Sequence, residues 1–261
     1  MAPQHQDSEL KATAATASTT TPVKNALLHE VLHAKFDHPE LLSTFPPTTY
    51  DPIPVLPYED RALKADPTFK NLLTTATLKH LEPKIGTEIS GLQLNELTDP
   101  QKDELALLIA HRGVVFFHDQ KITAEQLLDL GRYYGPLHIQ QNLAHTERYP
   151  ELLVVENSVE TSAAALKRHQ LDPLNAWHTD VSYERQPPTY TLFKVLTVPE
   201  VGGDTLWACG YEAYNRLSPA FKKFVEGLVA VHSGKVPILC TRCDITFIDG
   251  SNNLVKFSEP S

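Results

Sequence analysis

In the segment Trp177-His178-Thr179-Asp180-Val181, an imidazole and a carboxylate are separated by one residue. On an extended chain, side chains alternate with period two, so His178 and Asp180 project to the same side. One strand face then offers two metal ligands. A metal held on one side by two His and one carboxylate keeps its opposite positions open, which suits Fe(II) that must also bind a co-substrate and O2. The third ligand has to come from elsewhere in the chain. Alone, His-x-Asp is a weak signal, since roughly one match arises by chance in a chain with this many His and Asp. The sequence carries its own control in His5-Gln6-Asp7, which sits in a polar stretch.

The neighbourhood sharpens the reading. After Trp177 to Val181 come Pro187-Pro188, the run Thr189-Tyr190-Thr191-Leu192-Phe193-Lys194-Val195-Leu196, which is expected to be a strand, and Gly202-Gly203-Asp204-Thr205-Leu206-Trp207. In this order the segments resemble the taurine and 2,4-dichlorophenoxyacetate dioxygenase (TauD/TfdA) family of Fe(II)- and 2-oxoglutarate-dependent oxygenases, especially its fungal sulfonate-dioxygenase-like members. The resemblance runs from about Lys84 to His232. It includes Glu88-Ile89-Ser90-Gly91-Leu92, Gly113-Val114-Val115-Phe116-Phe117, Gly135-Pro136-Leu137-His138-Ile139 and Leu217-Ser218-Pro219.

The resemblance implies that His178 and Asp180 are two of three iron ligands, and that the Thr205 hydroxyl meets a carboxylate of 2-oxoglutarate. Gly202 and Gly203 permit positive φ and a close approach just before a strand, which would set Thr205 at the strand start beside the metal face. Trp207 would face the same side, and reads equally as a pocket wall or as core packing. The family pattern also calls for a second iron-binding His and then an Arg that forms a forked pair with the far carboxylate of 2-oxoglutarate. After Asp180 the sequence has one histidine, His232, followed by Arg242; Arg185 and Arg216 lie before it. Because Leu228-Val229-Ala230-Val231-His232-Ser233 resembles a family segment without a ligand, His232 is expected to be a partly buried or surface histidine. Residues 234–261 leave the family pattern, as a truncation or a divergent end would.

The activity implied is hydroxylation of a small anionic substrate, such as an alkyl sulfonate or sulfate ester, coupled to conversion of 2-oxoglutarate and O2 to succinate and CO2. Fe(II) and 2-oxoglutarate carry the chemistry and the protein supplies geometry. In taurine-specific relatives a His and a Tyr after Leu-His-Ile contact substrate; Gln140 and Leu143 fall at those places, which argues against taurine itself. His138 and His145 are nearby alternatives, each also readable as structural. The other reading is a truncated, catalytically inactive member that lacks the distal His and Arg.

Composition sets the class. The chain has 261 residues, 41% hydrophobic and 21% charged, in the ordinary range for a globular protein. A formal charge of −9 and the lack of a basic stripe argue against a nucleic-acid surface. No apolar run is long enough to span a bilayer, so no membrane partner is expected. Met1 to Leu10 has acids and no arginine, which fits neither a secretory nor a mitochondrial signal and leaves a cytoplasmic location as the expectation. A homo-oligomer is compatible with the resemblance. Three cysteines fit a reducing compartment. Cys240 and Cys243 form a lone C-x-x-C, read as incidental thiols or as a zinc or redox pair, and Cys209 reads as a small core residue.

The elements that must position these residues are read from pattern and caps. Residues 1–24, rich in Ala, Thr, Ser and Gln, are expected to be a disordered tail. Residues 25–75 form a Pro-rich extended arm, with a short helix over Asn25 to His33 and a connector that lies against the domain. The dioxygenase-like domain spans 76–233 and a divergent segment spans 234–261. A strand is expected within Ile85 to Leu94. Thr98-Asp99-Pro100 opens a helix with Leu105, Leu108 and Ile109 on its apolar stripe, and Gly113 closes it. Val114 to Phe117, apolar on both faces, reads as a central strand. Thr123-Ala124-Glu125-Gln126 has capping-box form and starts a second helix, which Gly135-Pro136 stops. Leu152 to Val155 and Ile245 to Ile248 read as strands, Glu160 to Leu174 as a loop over the site, and Asp249 to Asn253 as a turn. The fold class expected is mixed α and β with a mainly β core: a double-stranded β-helix (jelly roll) with flanking helices, incomplete at its C-terminal end.

Overall fold

The computed structural model describes residues 39–41, 54–141, 143, 145–155 and 177–232, and the strand segments 246–248 and 254–255. All of them lie in the unit Asp37–Ser261. The expected helix at Asn25 to His33, the loop from Glu160 to Leu174, the turn Asp249 to Asn253 and the Cys240/Cys243 pair fall outside the described residues.

Two three-stranded sheets and four α-helices organise the described residues. The first sheet has the order β1 (Thr77–His80), β2 (Thr87–Ser90), β3 (Val115–Phe117). β1 and β2 pair antiparallel, with Thr77 opposite Ser90 and His80 opposite Thr87. β2 and β3 pair parallel, with Thr87 opposite Val115, and helix α1 (Asp99–Arg112) makes the crossover between them. Parallel neighbours need such a crossover, because the chain must return to its starting end. Among the described residues β3 therefore has β2 as its one neighbour, and its residues are half-buried, whereas its double apolar face predicts a central strand. The apolar face it does cover lies on the core, where Val115 and Phe117 pack.

Both long helices start as their sequences predict. At α1 the Thr98 amide donates to Gln101 Oε1 at 3.0 Å, with Pro100 in the first turn. At α2 (Ala124–Tyr134) the Thr123 amide donates to Gln126 Oε1 at 2.9 Å, and the Gln126 amide returns the bond to Thr123 Oγ1 at 3.2 Å. Each pair satisfies amides that have no partner within the helix. Gly113, at φ +69°, ends α1 with its amide 2.7 Å from the Ile109 carbonyl. Gly91 is needed for a different reason. It has φ +86°, and a Cβ there would stand 2.4 Å from the Thr75 carbonyl oxygen, so only glycine fits the approach of β2 to the preceding segment.

Leu105 and Leu108 of α1 join Leu72, Ala76, Ile89 and Leu97 in one buried cluster. Ala106 joins Ile122, Leu130 and Tyr134 in a second, against which Tyr190 and Leu192 pack. The buried core of the described residues is thus carried by helices at least as much as by strands. Glu104, fully buried on α1, accepts from the Leu72 amide at 2.6 Å and from Asn71 Nδ2 at 2.5 Å, tying the 3-10 turn Leu72–Thr74 to the helix. Such bonds offset the desolvation of its carboxylate. At the other end of α1, Arg112 donates to Thr87 Oγ1 at 2.9 Å and to the carbonyls of Glu82, Pro83 and Gly86, which fastens the β1–β2 turn.

Beyond residue 176 the helices are short: α3 (Gly210–Asn215) and α4 (Pro219–Val225), the latter capped by Ser218, whose hydroxyl accepts from the Phe221 amide. The second sheet has the order β4 (Val229–Val231), β5 (Thr246–Ile248), β6 (Leu254–Val255), all antiparallel. β5 matches the strand predicted at Ile245 to Ile248. Among the described residues the strands predicted at Leu152 to Val155 and Thr189 to Leu196 are not formed: both stretches are irregular and have no ladder partners there. An alternating or apolar pattern makes a strand only where another strand takes up its amides and carbonyls.

Candidate metal centre

Residues 177–179 carry no regular secondary structure, and the chain then turns at Asp180–Tyr183, with the Glu184 amide donating to the Val181 carbonyl at 2.9 Å. The pair therefore sits where irregular chain meets a turn, not along a strand as the period-two reading supposes. The two side chains still converge. His178 Nε2 and Asp180 Oδ1 are 3.2 Å apart, and both side chains are 62% exposed. Val181 next to them is buried at φ +42°, a conformation that a β-branched residue adopts only under outside constraint.

That constraint comes from side chains along the loop. Ser182 Oγ is 2.8 Å from His232 Nδ1, and both carboxylate oxygens of Glu184 are 3.0 Å from His138 Nε2. Gln186 makes two bonds to one residue of the N-terminal arm: the Leu56 amide donates to its Oε1 at 2.8 Å, and its Nε2 donates to the Leu56 carbonyl at 2.9 Å. Tyr190 donates to Asp60 Oδ1 at 2.6 Å, and Lys194 donates to the Ile122 carbonyl at 2.5 Å. Burial first, and then the Asp60 carboxylate, push the Tyr190 hydroxyl well above the usual phenol range, so it stays a donor. His138 and His232, weighed from sequence as substrate contact and metal ligand, are thereby engaged in holding the loop. His145 is buried, with Nδ1 2.7 Å from the Thr146 carbonyl oxygen, as the structural reading had it.

His178 and Asp180 meet each other directly, as an ion pair. An imidazole and a carboxylate brought together are donor types that suit Fe(II), and these two residues would hold it. Among the described residues, no group of three or more His, Cys, Asp and Glu comes together in a metal-binding array.

Thr205 lies on a separate stretch of exposed coil rather than at the start of a strand. Gly202 and Gly203 before it take the positive φ values predicted, +82° and +78°. Trp207 stands edge-on to Phe116 of β3, with ring centroids 5.1 Å apart, which is a packing contact. Cys209 is half-buried beside it. Gln140 is half-buried and Leu143 exposed. Sequence reasoning missed Gln186, Tyr190 and Asp60. The available signal was faint: Gln186 immediately before Pro187-Pro188 and Tyr190 two residues after it, in a stretch whose amides needed some other support.

A family model, "Taurine catabolism dioxygenase TauD, TfdA family", matches residues 77–239. A Saccharomyces cerevisiae "Alpha-ketoglutarate-dependent sulfonate dioxygenase" is 41% identical over 210 residues, covering 77% of this chain and 51% of that protein. A Schizosaccharomyces pombe "Putative alpha-ketoglutarate-dependent sulfonate dioxygenase" is 44% identical over 204 residues, with coverage of 77% and 51%. An Acinetobacter baylyi "Alkylsulfatase" is 33% identical over 168 residues, covering 60% of this chain and 47% of that protein. The chain spans about half the length of these curated relatives. With the family model covering well over half of its residues, the chain belongs to the taurine catabolism dioxygenase TauD, TfdA family.

Proposed function

We propose that this chain carries part of the catalytic centre of an Fe(II)- and 2-oxoglutarate-dependent dioxygenase that hydroxylates a small anionic substrate, an alkyl sulfonate or a sulfate ester. The observation that carries the reading is the convergence of His178 and Asp180 at 3.2 Å within the segment that matches the family. The names of the relatives, sulfonate dioxygenases and an alkylsulfatase, support the substrate class. In this reading His178 and Asp180 would hold the iron, and the Thr205 hydroxyl would donate to a carboxylate oxygen of 2-oxoglutarate. Bound Fe(II) would supply the oxidising chemistry, with 2-oxoglutarate and O2 consumed together: one oxygen atom goes to the substrate, the other to succinate, and CO2 leaves. The chain's own residues orient the donors: Val181 is buried under the turn, while Ser182 and Glu184 tie it to His232 and His138. A cytoplasmic site of action, the double-stranded β-helix fold and the domain span 76–233 belong to the same proposal.

A second reading is a catalytically inactive family member with residual metal binding or none; its support is that, among the described residues, no group of three or more His, Cys, Asp and Glu comes together. Anaerobic titration with Fe(II) and 2-oxoglutarate separates the two. The dioxygenase reading expects a visible charge-transfer band from the chelate, absent in His178→Ala. Folded wild-type protein without that band at any concentration leaves only the second reading.

A further inference from the structure

We propose that the arm residues Leu56 and Asp60, through Gln186 and Tyr190, clamp the loop that carries His178 and Asp180, and so act as positioning residues for the metal pair. As a statement about ligands, this rests on the functional reading above; as a statement about the loop, it stands alone.

Four observations meet here. The loop has no strand ladder over residues 177–190, so its backbone is not held by regular pairing among the described residues. Gln186 nevertheless bonds both backbone groups of Leu56 across 130 residues of sequence, which imitates one rung of a ladder with a side-chain amide. Tyr190 repeats the separation with its short bond to Asp60, and its ring packs 5.2 Å from that of Tyr134 in the second core cluster. Asp60 is itself fixed, because its carboxylate accepts from the Ala62 amide at 2.9 Å and caps the 3-10 turn Arg61–Lys64. That turn is fastened to α1 by Arg61, which donates to Asp103 at 2.8 Å and to the Tyr133 hydroxyl. A continuous path therefore runs from α1 through the arm to the residues just after Asp180. The buried, left-handed Val181 shows that the turn is held against its own preference.

A clamp of this kind makes a distinct prediction from general stabilisation. Releasing Gln186 or Tyr190 frees the ligand loop, whereas removing the Tyr133 hydroxyl does not, because Arg61 keeps its bond to Asp103 and the arm stays fastened to α1. The variants are Gln186→Ala, Tyr190→Phe, Asp60→Ala, Asp60→Asn and, as control, Tyr133→Phe, all in the full chain. Asp60→Asn keeps the oxygen that Tyr190 and Ala62 use and should behave as wild type. Amide hydrogen exchange of the metal-free protein reads the loop, and titration with Co(II), a spectroscopic stand-in for Fe(II), reads the pair. Gln186→Ala, Tyr190→Phe and Asp60→Ala should speed exchange at residues 181–186 and weaken Co(II) binding about fivefold, the ratio expected for one lost hydrogen bond. Tyr133→Phe should lower the Tm while leaving both readouts unchanged.

Unchanged exchange at 181–186 in the folded clamp variants overturns the proposal. So does faster exchange with undiminished Co(II) affinity, which removes the positioning role, or an equal response in Tyr133→Phe, which makes the effect general. Wild-type protein that binds no Co(II) sinks the metal reading and with it the word ligand, while exchange still decides whether the arm holds the loop.

Discussion

The stretch from Leu72 to Tyr134 and the stretch from Trp177 to His232 are built from similar proportions of apolar residues but treat them in opposite ways. Nearly every buried hydrophobic residue, from Leu72 to Tyr134, belongs to the first; Val181 alone represents the second. The second instead leaves Phe193, Val195, Val198, Val201, Leu206, Tyr211 and Val229 more than half exposed. In the first stretch, a helix crosses between two parallel strands, and the whole unit closes its apolar stripe within about 60 residues of sequence. In the second, irregular segments rely on side-chain pins to Leu56, Asp60, Ile122 and His138, all distant in sequence. The lesson is that a core can form from local pairing, but a site on irregular chain depends on contacts that reach across the molecule.

The largest effect that tests this contrast is expected at Leu105, buried in the first cluster. Leu105→Ala should cost about 2–5 kcal/mol by lost transfer energy and the cavity left behind, read as a lower midpoint in urea unfolding. A loss under about 0.5 kcal/mol would mean that the first stretch is not the cooperative core. Gly91→Ala should come next, at about 1–3 kcal/mol, since the new Cβ meets the Thr75 carbonyl and the backbone must leave its left-handed φ. Thermal unfolding with a same-site Gly91→Asn variant sharpens it: Asn tolerates positive φ better, so what remains of the loss measures the steric contact.

What was legible in the sequence divides along the same line. Thr98-Asp99-Pro100 as a helix start, Thr123 with Gln126, Gly113 and the Gly202-Gly203 pair are signals whose cause lies within a few residues, and each appears as read; the bond from Thr98 to Gln101 was not read. The convergence of His178 and Asp180 was legible too, although a turn rather than a strand delivers it. β1 escaped notice because Thr77–His80 is exposed or half-buried throughout and shows no clear alternation. The run Thr189 to Leu196 misled for the converse reason: its composition favours a strand, but no described neighbour supplies the ladder. The pins at Gln186 and Tyr190 were illegible, since their partners lie 130 residues away and no local pattern encodes them.

A smaller effect separates the regions by pH. Burial raises the Tyr134 hydroxyl far above its usual pKa, and that hydroxyl donates to the Lys102 carbonyl at 3.1 Å. The folded state therefore holds the proton more tightly than the unfolded one. Its contribution is fully present below the unfolded phenol pKa of about 10 and is lost as pH rises above it, by up to about 1.4 kcal/mol per pH unit. Unfolding free energies between about pH 9 and 11 should fall less steeply in Tyr134→Phe than in wild type. Parallel slopes would show that Tyr134 ionises as easily in the folded protein as out of it, and that this corner of the first stretch is wetter than its burial implies.

The smallest effect is the most informative about the second stretch. Leu206 is 71% exposed, one residue from Thr205 and one from Trp207. If the stretch is as uncovered in solution as in the structure, Leu206→Ala removes surface that was already wet, and its cost should stay within about 0.5 kcal/mol. The comparison with Leu105→Ala then becomes direct: the same chemical change, a several-fold difference in cost, and burial as the cause. A loss as large as that of Leu105→Ala would break the contrast, since it would require Leu206 to be covered. Repeating the measurement across protein concentrations tells what covers it. A cost that grows with concentration points to a second copy of the chain, whereas one that does not points to contacts within a single chain.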